Sequence, residues 1–215
     1  TNLWKKSGYA DIYMIGNPWG HVKFAAAGKK DLAANLVKGP LKATPLANIW
    51  RKTKQPGKAL FFDFEPYAPD NNAPCAFASY PLINDFDEIG AVVIFRISAD
   101  RINKIMAERS GMGETGETYL VGPDRLMRSD TRFAPKRFSV AGSFTDPKAG
   151  RMETEAVKLA LNGKSNTMIT RNYMGQKVLT SFSPVQIAGQ TWALVADIDV
   201  EEAFASISKM QLLMI

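Results

Sequence analysis

The chain has a single cysteine, Cys75, and a single histidine, His21. One cysteine excludes an intrachain disulfide and leaves the redox compartment open. One histidine, with no second histidine or cysteine near it, excludes a zinc site, which needs about four such ligands. Any serine or cysteine triad would have to use His21, and no G-x-S-x-G nucleophile elbow is present. No run of about 18 apolar residues occurs, so no stretch reads as a complete membrane span. The opening Thr1–Gly8 has no apolar core of the kind a signal peptide needs. The last residues, Met210–Ile215 (MQLLMI), read either as an amphipathic helix or as the first turn of a membrane span.

What is present is globular in character. The 215 residues are 46% hydrophobic and 22% charged, enough for one large domain or two small ones. The formal charge of +6 is spread over separate basic pairs: Lys5-Lys6, Lys29-Lys30, Arg51-Lys52 and Lys136-Arg137. They form no basic helix and no aromatic-interleaved motif, which argues against nucleic acid as a partner.

Periodicity and turn chemistry give the element order. Tyr9–Ile15 and Val22–Ala27 predict a hairpin around Gly16-Asn17-Pro18. Lys30–Val37 predicts a short helix closed by Gly39-Pro40, and Thr44-Pro45 opens a second that runs to about Lys54. Strands follow at Lys58–Glu65, Cys75–Leu82 and Gly90–Ile97, separated by a proline-rich loop over Pro66–Pro74 and an acidic turn over Asn84–Glu88. Ser98 starts a helix reaching about Ser110. Beyond it, Glu117–Val121 and Arg125–Ser129 predict a hairpin turning at Gly122-Pro123-Asp124. Ala134–Gly150 has little periodicity. A helix is expected over Met152–Leu161, then strands at Asn166–Tyr173, Gln176–Pro184 and Gln190–Ile198. Asp199 with Glu202 resembles a capping box at the start of a final helix.

This order repeats. Tyr13-Met14-Ile15-Gly16 parallels Tyr119-Leu120-Val121-Gly122, and Ser79-Tyr80-Pro81-Leu82 parallels Phe182-Ser183-Pro184-Val185. Gly90–Ser98 with its helix parallels Gly189–Asp199 with its helix. Strands without regular crossover helices favour antiparallel pairing. The expected fold is therefore α+β: two copies of a five-stranded antiparallel sheet with helical inserts, meeting near Ala107–Gly113.

Two motifs mislead. Gly111-Met112-Gly113-Glu114-Thr115-Gly116 matches G-x-G-x-x-G, but it follows a helix and precedes a strand, the reverse of a dinucleotide site. Gly163-Lys164-Ser165 lacks the upstream glycine of a P-loop. The inventory offers no catalytic set, no cofactor and no metal site. What remains are polar and aromatic residues on strands below the inserts, where a small ligand pocket is usually built. In the first half these are Asp63, Tyr67, Phe77, Ser79 and Tyr80, with Asn35 and Trp50 from the helices. In the second they are Tyr119, Arg128, Asp130, Arg132, Tyr173 and Ser181.

Six stretches together resemble the double Cache (tandem PAS-like) extracytoplasmic sensor domains of bacterial transmembrane receptors. They are GYADIYMI (8–15), KKDLAANLVKGPL (29–41), FFDFEPYAPDNNAPCAFASYPL (61–82), GAVVIFRISADRINKIM (90–106), GETGETYLVGPDRLMRSDTRF (113–133) and VLTSFSPVQIAGQTWALVADIDVEEAF (178–204). The resemblance implies a membrane-distal ligand-binding domain over 1–110 and a membrane-proximal domain over 111–199. The helix over 200–215 would lead to a transmembrane segment. It implies a periplasmic sensor, not an enzyme, attached to a chemotaxis receptor; a histidine kinase, a diguanylate cyclase or a protein-interaction module are the alternatives. The implied partners are a small molecule (organic acid, amine or similar), a second copy of the receptor and the membrane through the flanking segments. The family's long N-terminal helix would be represented here only by Asn2–Lys6. The arginine–tryptophan–tyrosine signature of its amino-acid-binding subgroup is not evident; Lys29 or Arg96 is the cation left to meet a small carboxylate.

Overall fold

The structure, a computed structural model, describes residues 8–28 and 31–205. Lys29, the Asn2–Lys6 helix end and the final helix beyond residue 205 lie outside the described residues. The chain divides into two units, one up to Arg101 and one from Ile102. Each unit contains one antiparallel sheet, so the fold class is α+β.

The first sheet has five strands: β1 (Asp11–Gly16), β2 (Val22–Ala25), β3 (Leu60–Tyr67), β4 (Ala73–Ile83) and β5 (Ile89–Ser98), in the order β2-β1-β5-β4-β3. Strict alternation along β1 buries Asp11, Tyr13 and Ile15 on one face and leaves Met14 exposed on the other. Helix α1 (Pro45–Lys52) packs on β3, β4 and β5. Thr44 caps its first turn by accepting the Ala47 N–H, worth about 1 kcal/mol. Leu46, Ala47, Ile49 and Trp50 fill the core against Ile15, Val92 and Ile94.

The helix expected at Lys30–Val37 is not formed. Residues 31–38 make turns, because their backbone groups bond to the hairpin instead of to one another. The Val22 N–H donates to Ala34 O, the Ala33 N–H to Val22 O and the Leu36 N–H to Gly20 O, each at 2.9–3.0 Å. Ala33 adopts a left-handed φ of 66°. The proline-rich loop is also shorter than expected. Pro66 and Pro74 face each other in the β3–β4 ladder, since β3 is an edge strand and tolerates missing donors. Only the short 3₁₀ turn Ala68–Asp70 and two left-handed asparagines, Asn71 and Asn72, connect the strands.

Among the described residues the second sheet has four strands, not five: β6 (Glu117–Val121), β7 (Asn166–Arg171), β8 (Lys177–Ile187) and β9 (Gln190–Asp199), in the order β6-β9-β8-β7. The strand expected at Arg125–Ser129 reduces to a single bridge between Val121 and Met127. Arg125 turns left-handed (φ 65°), and past Met127 the Arg128 and Ser129 N–H groups both turn to Leu120 O without extending the ladder. Helix α2 (Ala99–Met106) precedes this unit's sheet and ends earlier than Ser110. Within the stretch expected to be irregular, Ser139 caps a short helix, α3 (Val140–Thr145). Helix α4 (Glu155–Leu161), capped by Thr154, packs on β8 and β9. Helix α5 (Val200–Ala203) follows β9 directly. Asp199 makes no side-chain cap there; Glu202 turns away from it and binds the 113–115 loop, so the expected capping box is absent. Among the described residues no helix is long and apolar enough to cross a membrane.

Candidate functional site

In the first unit, strand register sets polar groups in rows across the buried sheet face. Asp11 lies opposite Arg96, and Arg96 opposite Phe77. The next row is Tyr13, Ile94 and Ser79; Ile15 and Val92 begin the apolar end. Tyr67 closes β3 with its ring edge on Phe77, the centroids 5.3 Å apart. Asp31 enters from the 31–38 segment and is 1% exposed. Its Oδ2 accepts the hydroxyls of Tyr13 (2.7 Å) and Tyr67 (3.0 Å).

Arg96 is 2% exposed. Its Nη1 pairs with Asp70 Oδ2 at 2.5 Å, its Nη2 reaches Ala10 O at 3.5 Å, and its Cζ stands 5.6 Å from the Tyr67 ring centre. Asp11 Oδ1 accepts the N–H groups of Ile12 and Ala27 at 2.8 and 2.9 Å. Burial holds the Tyr13 phenol far above its ordinary value, with Tyr67, Asp11 and Asp31 adding to the effect. Burial and then Asp31 do the same for Tyr67. Both tyrosines are therefore neutral donors to Asp31. Burial opposes the charge on Arg96, but Asp70, hydrogen-bonded to it and charged beside it, carries its pKa above the usual value, so it remains a cation. Burial pushes the neighbouring Cys75 thiol up to about 12, which makes it inert as a nucleophile.

Among the described residues four buried side-chain atoms have no hydrogen-bond partner: Asp11 Oδ2, Asp31 Oδ1, Arg96 Nε and Trp50 Nε1. Folded proteins pair the large majority of such atoms, and each one left unpaired costs about 1–3 kcal/mol, more when charged. Three of the four belong to one contiguous cluster of Asp11, Tyr13, Asp31, Tyr67 and Arg96. Asp11 Oδ2 and Asp31 Oδ1 are acceptors and Arg96 Nε is a donor, so the cluster could both accept from and donate to a guest.

The second unit repeats the placement with a different outcome. Glu117 lies opposite Asp197, and Asp197 opposite Thr180. Here every carboxylate oxygen is served. Tyr173 Oη donates to Glu117 Oε1 (2.6 Å) and the Arg132 N–H to Oε2 (3.0 Å). Thr180 donates to Asp197 Oδ1 (2.6 Å) and Tyr119 to Oδ2 (3.2 Å). Burial raises the pKa of both carboxyls, and for Glu117 the charge of Asp197 adds to this. A cavity of about 280 Å³ opens beside Glu117, lined by Asn103, Met106, Arg109, Asp130 and Arg132. Another of about 240 Å³ lies between Glu117, Asp197, Asp199 and Met174.

The residues expected from sequence fall in several places. Tyr67 and Phe77 belong to the cluster. Ser79 bonds Thr53 Oγ1 at 2.7 Å beneath α1. Trp50 lies on α1 with its ring edge against Gly20. Tyr80 is 45% exposed on the opposite sheet face, one residue out of phase with Ser79. Asp63 sits at the β3 register shift and accepts the Phe64 N–H. Asn35 braces its own turn, accepting from Val37 and Lys38 and reaching His21 at 3.2 Å. In the second unit Tyr119 and Tyr173 converge on the carboxyl pair. Arg128 is packed under its turn, paired with Asp124 at 3.0 Å and stacked near Phe144 and Trp192. Asp130 accepts the Val140 N–H, Arg132 holds the carbonyls of Glu114 and Gly116, and Ser181 is exposed beside Thr167. Sequence reasoning passed over Asp11, Tyr13, Asp31, Asp70, Glu117 and Asp197. Two signals were available: Asp11 and Asp197 are charges in phase with the apolar residues of otherwise apolar strands.

The fold is similar to that of the ligand-binding domains of bacterial chemoreceptors. No family model and no curated protein sequence matches the chain. Solved structures do match. The ligand-binding domain of the Pseudomonas fluorescens chemoreceptor CtaA, in complex with L-isoleucine, superposes with a TM-score of 0.58 at 14% identity, covering 95% of this chain and 74% of that one. The ligand-binding domain of the Pseudomonas aeruginosa amino acid chemoreceptor PctC, in complex with GABA, gives 0.54 at 13% identity, over 92% and 77%. The periplasmic sensory domain of the Campylobacter jejuni chemoreceptor Tlp1 gives 0.56 at 11% identity, over 92% and 74%.

Proposed function

We propose that this chain is an extracytoplasmic sensor domain of a bacterial transmembrane receptor, of the chemoreceptor kind, that binds a small molecule in its first unit. The observation that carries this reading is the buried Asp11–Tyr13–Asp31–Tyr67–Arg96 cluster with its three unpartnered atoms, set in a fold whose solved relatives are ligand-binding domains. In this reading the first unit is membrane-distal and the second membrane-proximal. Helix α5 carries the signal toward the membrane, and the receptor works as a homodimer. The protein itself catalyses nothing; its output lies in another part of the receptor, a chemotaxis signalling domain or, alternatively, a kinase or cyclase. The ligand acts by binding one of two packings more tightly, and it shifts their populations by no more than that difference.

The test is a thermal-shift and calorimetry screen of amino acids, amines and small organic acids. A ligand at a hundredfold excess over Kd stabilises by about 2.7 kcal/mol, a rise of several degrees in Tm. Asp31→Asn should abolish the shift. If no compound stabilises the protein, the sensor reading fails. The competing reading, a protein-interaction module, is favoured by the exposure of Trp19 and Phe86 and predicts binding to a protein partner that survives Asp31→Asn.

A further inference from the structure

We infer that the first-unit site takes an organic ammonium ion without a carboxylate of its own, a primary amine and not an amino acid. This rests on the sensor reading above and specifies its ligand class.

Charge is the first argument. Among the described residues the cluster sets the buried carboxyl groups of Asp11 and Asp31 against Arg96, which also pairs with the part-exposed Asp70. A guest cation moves this group toward neutrality; a guest anion moves it further away. Buried charges persist only when paired.

Donor and acceptor directions are the second. Asp31 Oδ1 and Asp11 Oδ2 are carboxylate acceptors with nothing donating to them. An ammonium supplies three donors. The tyrosine oxygens, which spend their own protons on Asp31, keep lone pairs for the third. For a guest carboxylate the same site is poorly equipped. It is bound best by a free guanidinium edge offering two parallel N–H groups. Arg96 directs Nη1 to Asp70 and Nη2 to Ala10, so Nε is its one nitrogen without a partner, and every two-nitrogen edge of the guanidinium includes a nitrogen that already has one. Both phenol protons are already committed.

The remaining unpartnered donor, Trp50 Nε1, belongs to the other end of the sheet face. The Trp50 ring edge meets Gly20, past the Gly16 end of β1, and β1 runs about 17 Å from Asp11 at roughly 3.4 Å per residue. A neutral hydroxyl or carbonyl on the far end of an amine satisfies it. This ligand class differs from the L-isoleucine and GABA of the CtaA and PctC complexes, both of which carry a carboxylate.

The experiment is titration calorimetry of the 215-residue protein with three matched probes: 3-methylbutylamine, L-leucine and 3-methylbutanoate. They share one hydrocarbon body and differ only in the charged groups. The amine is expected to bind at least tenfold tighter than leucine, and the acid not to bind. Asp11→Asn and Asp31→Asn should each weaken amine binding at least tenfold, with folding checked by circular dichroism. Arg96→Gln is the decisive second variant. It is read on the ratio of amine to leucine affinity: an unchanged ratio supports the amine class, and a selective loss of leucine binding, which would place the leucine carboxylate on Arg96, overturns it. Tighter binding of leucine or the acid overturns the amine class and leaves the sensor reading standing. If none of the three binds, and linear amines from methylamine to hexylamine also fail, the amine class is wrong. Silence across the wider screen removes the sensor reading as well.

Discussion

Glu202 on α5 binds Thr115 twice: its Oε2 accepts the Thr115 backbone N–H at 2.8 Å and the Thr115 hydroxyl as well. Its Oε1 takes the Glu114 N–H at 2.6 Å, and Thr115 in turn accepts the Asp199 N–H at 3.0 Å. Three donors converge on one carboxylate, so its pKa falls below the ordinary range, the Thr115 hydroxyl being the largest cause. Gly113 is required here, since it has φ 65° and a Cβ at that position would lie 2.2 Å from Glu202 Oε1. The base of α5 is thereby tied to the loop that follows α2. Glu202→Ala should raise amide exchange at Glu114 and Thr115 at least tenfold while leaving first-unit ligand affinity within about threefold. Unchanged exchange would mean the latch is not formed in solution.

The Glu117–Asp197 pair sets a pH dependence. Both folded pKa values are raised, chiefly by burial, above unfolded values of roughly 4.3 and 3.9. Between those values and the raised ones the folded state holds more protons than the unfolded state. The pair's contribution is therefore fully present below the unfolded values and is lost as pH rises through the folded ones. Glu117→Gln should raise Tm at pH 7 and flatten its slope between pH 4.5 and 7. The amide oxygen can accept the Arg132 N–H while the amino group donates to Tyr173 Oη. A slope as steep as that of the unaltered protein would count against this pair as its origin.

Gly20 is fixed by Trp50. Its φ is 68°, and an added Cβ would stand 2.9 Å from Trp50 Cη2, within a turn that also receives Leu36. Gly20→Ala combines a left-handed strain with overpacking and should destabilise the protein by about 1–3 kcal/mol. Thermal melting reads the loss; an unchanged Tm would show that the turn repacks freely.

Thr53 and Ser79 share a buried hydrogen bond of 2.7 Å that pins the end of α1 to β4. Thr53 also bonds Ile49 O at 2.7 Å. Ser79→Ala removes one partner and should cost about 1 kcal/mol. Thr53→Val strands Ser79 and should cost about 1–3 kcal/mol. In the double variant the penalties should be less than additive, because no buried hydroxyl is then left stranded. Additive losses in chemical denaturation would exclude the coupling.

Legibility followed the range of the forces involved. The β1–β2 hairpin, the Thr44-Pro45 helix start, the three strands of each half's sheet and the final β8–β9 turn depend on local pattern, and the sequence displays it. The Lys30–Val37 helix failed because a local pattern met stronger partners: Val22 and Gly20 supply backbone bonds that a two-turn helix cannot match. Arg125–Ser129 failed for a similar reason. The run has strand-like alternation and lies along the free edge of β6, but the Leu120 N–H goes to the Ser129 hydroxyl and the Met127 N–H to Ser143, so the ladder stops at the Val121–Met127 bridge. Within the site, Phe77 was legible as an aromatic residue inside an apolar strand and Tyr67 as an aromatic residue in the loop that follows one. Asp31 was not, since it lay within an expected surface helix and its burial depends on Tyr13 and Tyr67, which come from distant strands.

By itself the sequence determined that this is an α+β chain with antiparallel strands, without a zinc site or a serine-protease-like triad, and with a resemblance to receptor sensor domains. Those properties follow from composition, alternation and turn residues, all of which act over a few positions. Tertiary structure alone decided that the second sheet has four strands, that Glu202 latches a loop instead of capping its helix, and that Asp11, Asp31 and Arg96 share one buried site with unpaired atoms. Register across strands some 80 residues apart puts Asp11 opposite Arg96. No local rule encodes that distance, because hydrogen-bond pairing and desolvation act between residues that become neighbours only once the chain has folded.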